Sequence, residues 1–269
     1  MTAAAGKWFR AIALPLMGLA LWAAADFSGG VRSALFVSPA EVSREALQIL
    51  GDGSLWAALA TSLARAAAGL SLGAGFGLFA GMVLGLSGGM RLTFDPLLQT
   101  LKNISLFAWI PLIMAWLGLG EAAKVALIAI ATFFPVFLNC HEGIRSVPVA
   151  WIELGRSLAY RRAQLVRHIV LPAALPSIFT GLHLALIHAW LATLGAEYML
   201  TSGSGIGNLL NEAREELRID HILIYMGVAG AVGYLLTVLV SRIERTLLVD
   251  REDAFAGRNS TLQENANVP

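Results

Sequence analysis

Charged residues are scarce in this chain of 269 residues, and cysteine is almost absent. Only 14% of the residues are charged, whereas soluble domains carry about a quarter. The single cysteine, Cys140, excludes an intrachain disulfide. The net charge of +1 gives no electrostatic reason to expect a nucleic acid as partner. These deficits argue against a soluble domain, a disulfide-stabilised secreted domain and a nucleic-acid-binding protein.

The motifs of common enzymes are missing as well. The chain contains no H-E-x-x-H, no G-x-S-x-G and no G-x-x-x-x-G-K-[ST] nucleotide loop. The only Gly-Lys pair, Gly6-Lys7, has no glycine-rich loop around it. A series of carboxylates inside the apolar runs, typical of many proton-coupled transporters, is absent too. We therefore expect no enzyme, no bound metal or cofactor in this chain, and an energy source outside it.

Long apolar runs dominate what is present. Hydrophobic residues make up 57% of the chain, and a helix needs roughly 17–25 of them in sequence to cross a bilayer. The first run also resembles a signal peptide, but we expect an uncleaved helix. The pattern predicts an all-α membrane protein with about six transmembrane helices. The candidate spans are 11–25, 66–90, 103–120, 125–140 with an extension to Ala122, 173–196 and 222–241.

The placement of lysine and arginine predicts the orientation in the membrane. With the N-terminus inside and six spans, twelve of these residues fall on the inner side and five on the outer side. Inner loops carry such an excess in membrane proteins. The result is an N-in/C-in arrangement that places residues 141–172 in the cytoplasm. Residues 26–57 and 200–221 then face outward.

Glycines at every fourth position mark one face of the second span. Residues four apart share a helix face, so small residues there let a neighbouring helix approach closely. This strip indicates either plain tight packing or a surface on which helices slide. The residues are Gly69, Gly73, Gly77, Gly81 and Gly85.

Shorter patterns predict helices outside the spans. Residues 38–50 resemble an amphipathic helix, with Ser38 as the N-cap, Pro39 in the first turn and Glu41 three residues after the cap. Glycines near 203–207 interrupt the fifth span, and we expect Asn208–Leu217 to form a short helix that is either an outward cap or a re-entrant segment.

The third span either lines a solute pathway or is a kinked packing helix. We expect Pro111 to kink this span, because proline removes a backbone donor. Backbone groups freed near mid-membrane are tolerated where protein or water satisfies them. The candidate pathway residues, chosen for polarity or position, are Asn103, Ser105, Trp109, Glu197 and Thr201.

The most informative segment is a polar island between the fourth and fifth spans, from His141 to Pro172. Apolar residues recur at helical spacing from Trp151 onward, and arginines occupy much of the remaining surface. This pattern predicts a short helix parallel to the membrane, followed by a helix that rises into the fifth span. Such a helix either docks on a soluble subunit or rests on anionic lipid.

The island resembles the EAA loop of binding-protein-dependent ABC importer permeases. The likeness lies in Glu153–Ala159, Gln164-Leu165, Ile169–Pro176 and Gly181. Further segments, SLFAWIPLIMAWLGLGEAAKVALI, FFPVFLNCHEGIRSV and SGSGIGNLLNEAREEL, are similar to the sulfonate, taurine and nitrate branch. About residues 55–248 match in order and spacing.

The resemblance implies a division of the chain and a set of partners. Residues 1–54 hold the first helix and an outer amphipathic segment, 55–248 form the permease domain, and 249–269 form a polar, disordered tail. Expected partners are ABC ATPase subunits that bind ATP and Mg, a periplasmic or lipid-anchored substrate-binding protein, and a second permease copy. The expected location is a bacterial inner membrane.

The resemblance also assigns a coupling role to the island, whose helix docks on the ATPase. Gly155 stands where the family has the second alanine of Glu-Ala-Ala, and Ala159 stands where it has a glycine. A glycine there permits a positive φ, which alanine resists. The implied coupling residues are Glu153, Leu154, Gly155, Arg156, Leu158, Ala159, Arg162 and Leu165.

Three other classes of protein compete with an importer subunit. One is an exporter-type or assembly permease, against which the EAA-like loop and the outward segment Gly203–Gly207 argue. A self-contained secondary transporter or channel would move solute without an ATPase. A membrane-embedded enzyme would need a catalytic cluster, which the sequence lacks.

Overall fold

The computed structural model describes residues 2–27 and 36–266, and every regular element in these ranges is helical. A 3₁₀ turn at Leu106–Trp109 precedes the fifth helix, and a π-helical turn at Val166–Val170 joins the eighth to the ninth. The helices are α1 Thr2–Phe27, α2 Pro39–Asp52, α3 Ser54–Leu86, α4 Gly88–Leu101, α5 Ile110–Leu117, α6 Glu121–Arg145, α7 Val149–Ser157, α8 Arg162–Leu165, α9 Leu171–Met199, α10 Ile206–Glu215 and α11 Ile219–Ala266.

Four stretches in the described part are long and apolar enough to cross a membrane. They are α3, α6, the continuous run Arg162–Met199 and the first part of α11, Ile219–Arg242. The all-helical membrane fold is therefore confirmed. The apolar part of α1, Leu16–Phe27, is shorter than these. The count of six spans and the N-in/C-in orientation stay predictions.

The predicted third span is a broken pair of helices. Thr93–Leu101 and Leu106–Leu117 meet at an angle of 98°, and the two together would account for a fifth span. Pro111 was expected to kink this span, which is wrong: it lies in the first turn of α5. A helix tolerates proline there because that amide has no intrahelical partner. The bend lies earlier, at residues 102–105.

The glycine strip packs α3 directly against the backbone of α6. A Cβ on Gly77 would lie 2.7 Å from the carbonyl oxygen of Phe133, and one on Gly81 would lie 2.7 Å from Cβ of Cys140. The hydroxyl of Thr132 crosses the interface to the carbonyl of Gly69, at 3.3 Å. The tight-packing interpretation of the strip is thus confirmed. Together α3, α6 and α9 form the centre of the bundle.

The shorter helices follow the sequence pattern closely. Ser38 caps α2, and its Oγ accepts a hydrogen bond from the amide of Glu41 at 3.1 Å. The predicted helix after the glycines is α10. The helix α11 extends to Ala266. The division of the chain into residues 1–54, 55–248 and 249–269, with a disordered tail, stays a prediction. Residues 28–35 of the outer segment and 267–269 of the tail lie outside the described residues.

The order of the helices defines two ends of the bundle. At the α7 end, α6 finishes and α9 begins. At the α10 end, α6 begins and α9 finishes. Because α9 has 29 residues and each adds about 1.5 Å, the two ends are roughly 43 Å apart.

Candidate coupling surface and polar cluster

The helix α7 rests on the base of α9 through its inner face. Ile152 packs with Val147, Val170 and Ile169 in one apolar cluster. Gly155 is buried, and a Cβ there would collide with the terminal methyl groups of Leu165 and Ile169. The glycine that departs from the family pattern therefore lets α7 approach the following turn more closely than alanine would allow.

The end of α7 is a Schellman motif, in which two amides after the helix bond back to its last turn. The amide of Tyr160 donates to the carbonyl of Gly155 at 3.0 Å, and that of Ala159 donates to Arg156 at 2.9 Å. Ala159 occupies the position that glycine usually fills, with φ of 56°. The turn expected for the family's glycine thus forms with alanine in place.

The outer face of α7 presents apolar side chains to solvent. Leu154 and Leu158 are each 61% exposed, and Val149 and Trp151 are exposed beside them. Exposed apolar patches of this kind mark sites of contact with a protein or a membrane. After α7, the amide of Arg161 donates to Gln164 Oε1 at 2.8 Å and fixes the turn into α8.

The structure divides the predicted coupling residues into two groups. The outward group lies on or just after α7 and comprises Glu153, Leu154, Arg156, Leu158 and Ala159, all exposed. The inward group holds the helix in place. Gly155 and Leu165 contact each other, and Arg162 Nη2 lies 3.4 Å from the carbonyl of Leu86 at the end of α3.

The predicted pathway residues do not form one cluster. Asn103 and Ser105 lie exposed at the bend of the broken span, where the side-chain amide of Asn103 donates to the carbonyl of Gln99 in α4. Trp109 packs against the cluster around Ile113. Thr201 is exposed after α9. Their roles in a pathway stay predictions.

Glu197 has no exposed surface and belongs to a buried polar cluster at the α10 end. Its carboxylate accepts hydrogen bonds from Ser62 Oγ at 2.8 Å and from the amide of Gly207 at 2.9 Å. Arg65 Nη1 lies 2.6 Å from Glu197 Oε1. Gly205 packs so closely on the carboxylate that a Cβ would collide with it.

The same cluster anchors the loop between α9 and α10, residues 200–205, which we name the return loop. Arg65 donates to the carbonyl of Ser204, and Lys124 donates to that of Ser202. Lys124 is fully buried, and Arg65 is only 5% exposed. The two cations satisfy backbone carbonyls that lack helical partners, which an irregular segment near a membrane requires.

The clustered charges were only partly visible in the sequence. Of the charged residues in the cluster, only Glu197 was predicted from the sequence, as a pathway residue. The signal available was ionisable residues beside apolar spans, which mark functional sites by default. Glu121 and Glu197, the partners of Arg65, lie 56 and 132 residues away from it along the chain, so local spacing could not pair them.

A group of possible metal ligands joins α2 to the start of α11. Single donor atoms of Glu45, Asp220 and His221 lie within 4.8 Å of one another. However, Arg218 Nη2 lies 2.7 Å from Asp220 Oδ2 and 3.3 Å from Glu45 Oε2. The hydrogen bond to Asp220 raises the pKa of Arg218 above its usual value. The guanidinium therefore supplies the positive charge that a metal would bring, and the group is an ion-pair cluster.

The described residues combine several apolar spans, a broken span and an exposed apolar helix packed on the start of α9. This combination is typical of the membrane subunit of a transporter. Residues 73–253 match the family model described as "Binding-protein-dependent transport system inner membrane component". The chain belongs to this family, as an ABC importer permease of the sulfonate, taurine, nitrate and bicarbonate group.

Individual relatives agree with this assignment. A putative aliphatic sulfonates transport permease of Bacillus subtilis is 35% identical over 241 residues, covering 90% of this chain and 87% of the relative. A bicarbonate transport system permease of Synechococcus elongatus is 33% identical over 258 residues, with 90% and 92% covered. The taurine transport system permease of Escherichia coli is 34% identical over 221 residues, covering 80% of each.

Solved structures share the fold. A crystal structure of an amino acid ABC transporter has a TM-score of 0.63 at 18% identity, covering 74% of this chain and 96% of that one. An inward-facing methionine ABC transporter has a TM-score of 0.58 at 19% identity, covering 69% and 92%. Membership of this family implies ATPase and substrate-binding partners. It also makes the chain a multi-pass membrane protein and a transport component.

Proposed function

We propose that this chain forms the translocation pathway of an ATP-driven importer for a small anion, and that α7 couples it to the ATPase. The relatives are named for aliphatic sulfonates, taurine, bicarbonate and nitrate. Nitrate, bicarbonate and the sulfonate group share small size and oxygen atoms that carry negative charge. We extend that class of solute to this chain.

The exposed apolar face of α7 carries the proposal. Leu154 and Leu158 project outward, while Gly155 and Ile152 fix the helix to the base of α9. A helix fixed on one side and apolar on the other suits a groove in a soluble subunit, and it transmits displacement as a rigid body. Glu153 and Arg156 at its rim supply polar contacts for the ATPase.

The proposed assembly follows from this arrangement. Two copies of the chain pair in a bacterial inner membrane, and two ATPase subunits dock on the α7 ends and bind ATP and Mg. A periplasmic or lipid-anchored binding protein delivers solute at the α10 end. Closure of the ATPases moves the Glu153–Leu165 region and rocks the two copies, so that the pathway opens outward.

A single substitution on the apolar face tests the coupling. Leu158→Asp would place a carboxylate in the docking groove, where desolvation costs at least about 2 kcal/mol. We expect a loss of more than tenfold in affinity for the coexpressed ATPase, with a matching loss of ATP-driven uptake in liposomes. Glu153→Ala should weaken coupling in the same assay. Uptake would be measured with labelled taurine, nitrate and bicarbonate.

Leu217→Asp is the matched control, because Leu217 is 69% exposed at the other end of the bundle. It should leave ATPase copurification intact. If Leu158→Asp copurifies and transports like the unmodified chain, α7 is not the coupling element. If the chain alone moves solute down an ion gradient without ATPase, it is a secondary transporter or channel instead.

A further inference from the structure

We propose that Arg65 is an oxyanion-binding site for the transported solute, and that the carboxylate of Glu121 occupies this site when no solute is present. The idea rests on the proposed function, because it takes a small anion as the solute. It assigns a ligand-binding role to a cluster whose visible role is to anchor the return loop. The observations behind it are the geometry of the ion pair, the unequal exposure of its members and the charge balance of the cluster.

The pair between Arg65 and Glu121 is bidentate. Arg65 Nε lies 2.5 Å from Glu121 Oε2, and Nη2 lies 2.6 Å from Oε1. The guanidinium fork matches any group with two oxygen atoms in one plane or on one face. Nitrate, bicarbonate and a sulfonate group all present such a pair of oxygens. The carboxylate of Glu121 therefore stands in the place that a solute oxyanion would take.

The two carboxylates of the cluster differ in how firmly their surroundings hold them. Glu197 has no exposed surface, and it is held by Ser62, Arg65 and the amide of Gly207. Glu121, in contrast, has a side chain that is 60% exposed. It is the first residue of α6 and its side chain reaches Arg65 from the open side. Glu121 can turn into solvent without disturbing the return loop, whereas Glu197 cannot.

The charges balance for a solute with a single negative charge. Arg65 and Lys124 carry two positive charges, and Glu121 and Glu197 carry two negative charges. Release of Glu121 leaves one uncompensated positive charge beside a buried guanidinium, which is costly. One monovalent anion restores neutrality. A divalent anion would over-compensate, so the cluster favours monovalent oxyanions.

The return loop approaches the ion pair closely at Gly203. Gly203 has φ of 82°, and a Cβ on it would lie 3.3 Å from Glu121 Oε1, 3.4 Å from Arg65 Nη2 and 3.9 Å from Lys124 Nζ. A side chain at this position would therefore crowd the carboxylate of Glu121 and the guanidinium of Arg65. Glycine keeps this face of the ion pair free of a side chain.

The test uses the full-length permease in lipid nanodiscs without its ATPase. The probe is sodium methanesulfonate at constant ionic strength, and the readout is the thermal unfolding midpoint. Dimethyl sulfone serves as the uncharged analogue. Bound ligand raises the midpoint by mass action. Because an internal competitor lowers apparent affinity by the fraction of sites left free, we expect Glu121→Ala to bind methanesulfonate at least about tenfold more tightly than the unmodified chain.

Two further variants separate this site from a general charge effect. Glu215→Ala removes the same charge from α10, where Glu215 lies 3.7 Å from the exposed Arg214, and should not increase binding. Adding Arg65→Lys to Glu121→Ala keeps the charge but removes the fork, and should weaken binding about tenfold. If Glu121→Ala proves unstable, Glu121→Gln removes the charge and keeps a hydrogen-bond acceptor for Arg65.

Equal methanesulfonate dependence in the unmodified chain, Glu121→Ala and Glu215→Ala would overturn the proposal, as would an equal response to dimethyl sulfone. In either case the ion pair has a structural role only. The result is independent of the coupling experiment. An importer that transports anions but fails this binding test refutes the oxyanion site alone, whereas a chain without ATP-driven uptake refutes the proposed function.

Discussion

Replacing Ala159 by glycine tests the turn that ends α7. Ala159 has φ of 56°, a left-handed conformation that costs an L residue about 1–2 kcal/mol. Glycine avoids this cost, but its greater freedom in the open chain offsets about 0.5–1 kcal/mol. We therefore expect Ala159→Gly to stabilise the closed turn by roughly 0.5–1 kcal/mol.

Amide hydrogen exchange measures this stability where it arises. The amides of residue 159 and Tyr160 donate to the carbonyls of Arg156 and Gly155, so they exchange only when the turn opens. A gain of roughly 0.5–1 kcal/mol slows their exchange about two- to fivefold, after correction for the intrinsic rate of each sequence. The measurement needs the permease in nanodiscs and peptide-level resolution over 156–162.

The chain contains a matched control for this substitution. Leu217 follows α10 with φ of 57°, and the amides of Leu217 and Arg218 bond back to Arg214 and Ala213. Leu217→Gly should slow exchange at its own turn by a similar factor and leave the turn after α7 unchanged. Unchanged or faster exchange at Tyr160 in Ala159→Gly would refute the reasoning, because the left-handed alanine would then carry no relievable cost.

Two further substitutions test the packing and the polar cluster. Gly73→Ala should lower the yield of folded protein and its unfolding midpoint, because a Cβ there would collide with the α6 backbone at a cost of about 1–3 kcal/mol. Gly75→Ala is the control, since Gly75 has open space around it. Equal unfolding midpoints for the two variants would contradict the tight interface. Ser62→Ala should make the return loop more sensitive to protease, because it leaves the buried amide that opens α10 without its acceptor at about 1–3 kcal/mol. Ser71→Ala removes only an exposed bond within α3 and is its control; equal cleavage rates would contradict the anchoring role.

Local signals in the sequence predicted local structure well. The apolar runs located α3, α6, α9 and the first part of α11, because burial in a membrane demands such runs. Ser38, Pro39 and Glu41 predicted the start of α2, since capping involves residues within one turn. The four-residue spacing of the glycines predicted a packed face, because that spacing places them on one side of the helix whatever helix lies opposite.

Features that depend on tertiary contacts escaped prediction. The bend at 102–105 has no proline at its centre, and Pro111 suggested a kink in the wrong place. Two of the left-handed caps use Ala159 and Leu217, which carry no glycine signal. The partners of Arg65 are distant in sequence. In each case the preference of the residue itself is overridden by the contacts that surround it.

The interlocked pair of α3 and α6 has a mechanical consequence. Because the glycines of α3 contribute no side chains, α3 lies directly against the backbone and inward side chains of α6, and we expect the two helices to move as one rigid unit. The 25 residues of α6 span about 37 Å, from the segment just before α7 to Glu121 and Lys124. Under the coupling proposed above, we expect a displacement of α7 to be carried along α6 to Glu121 and Lys124, which lie beside the return loop.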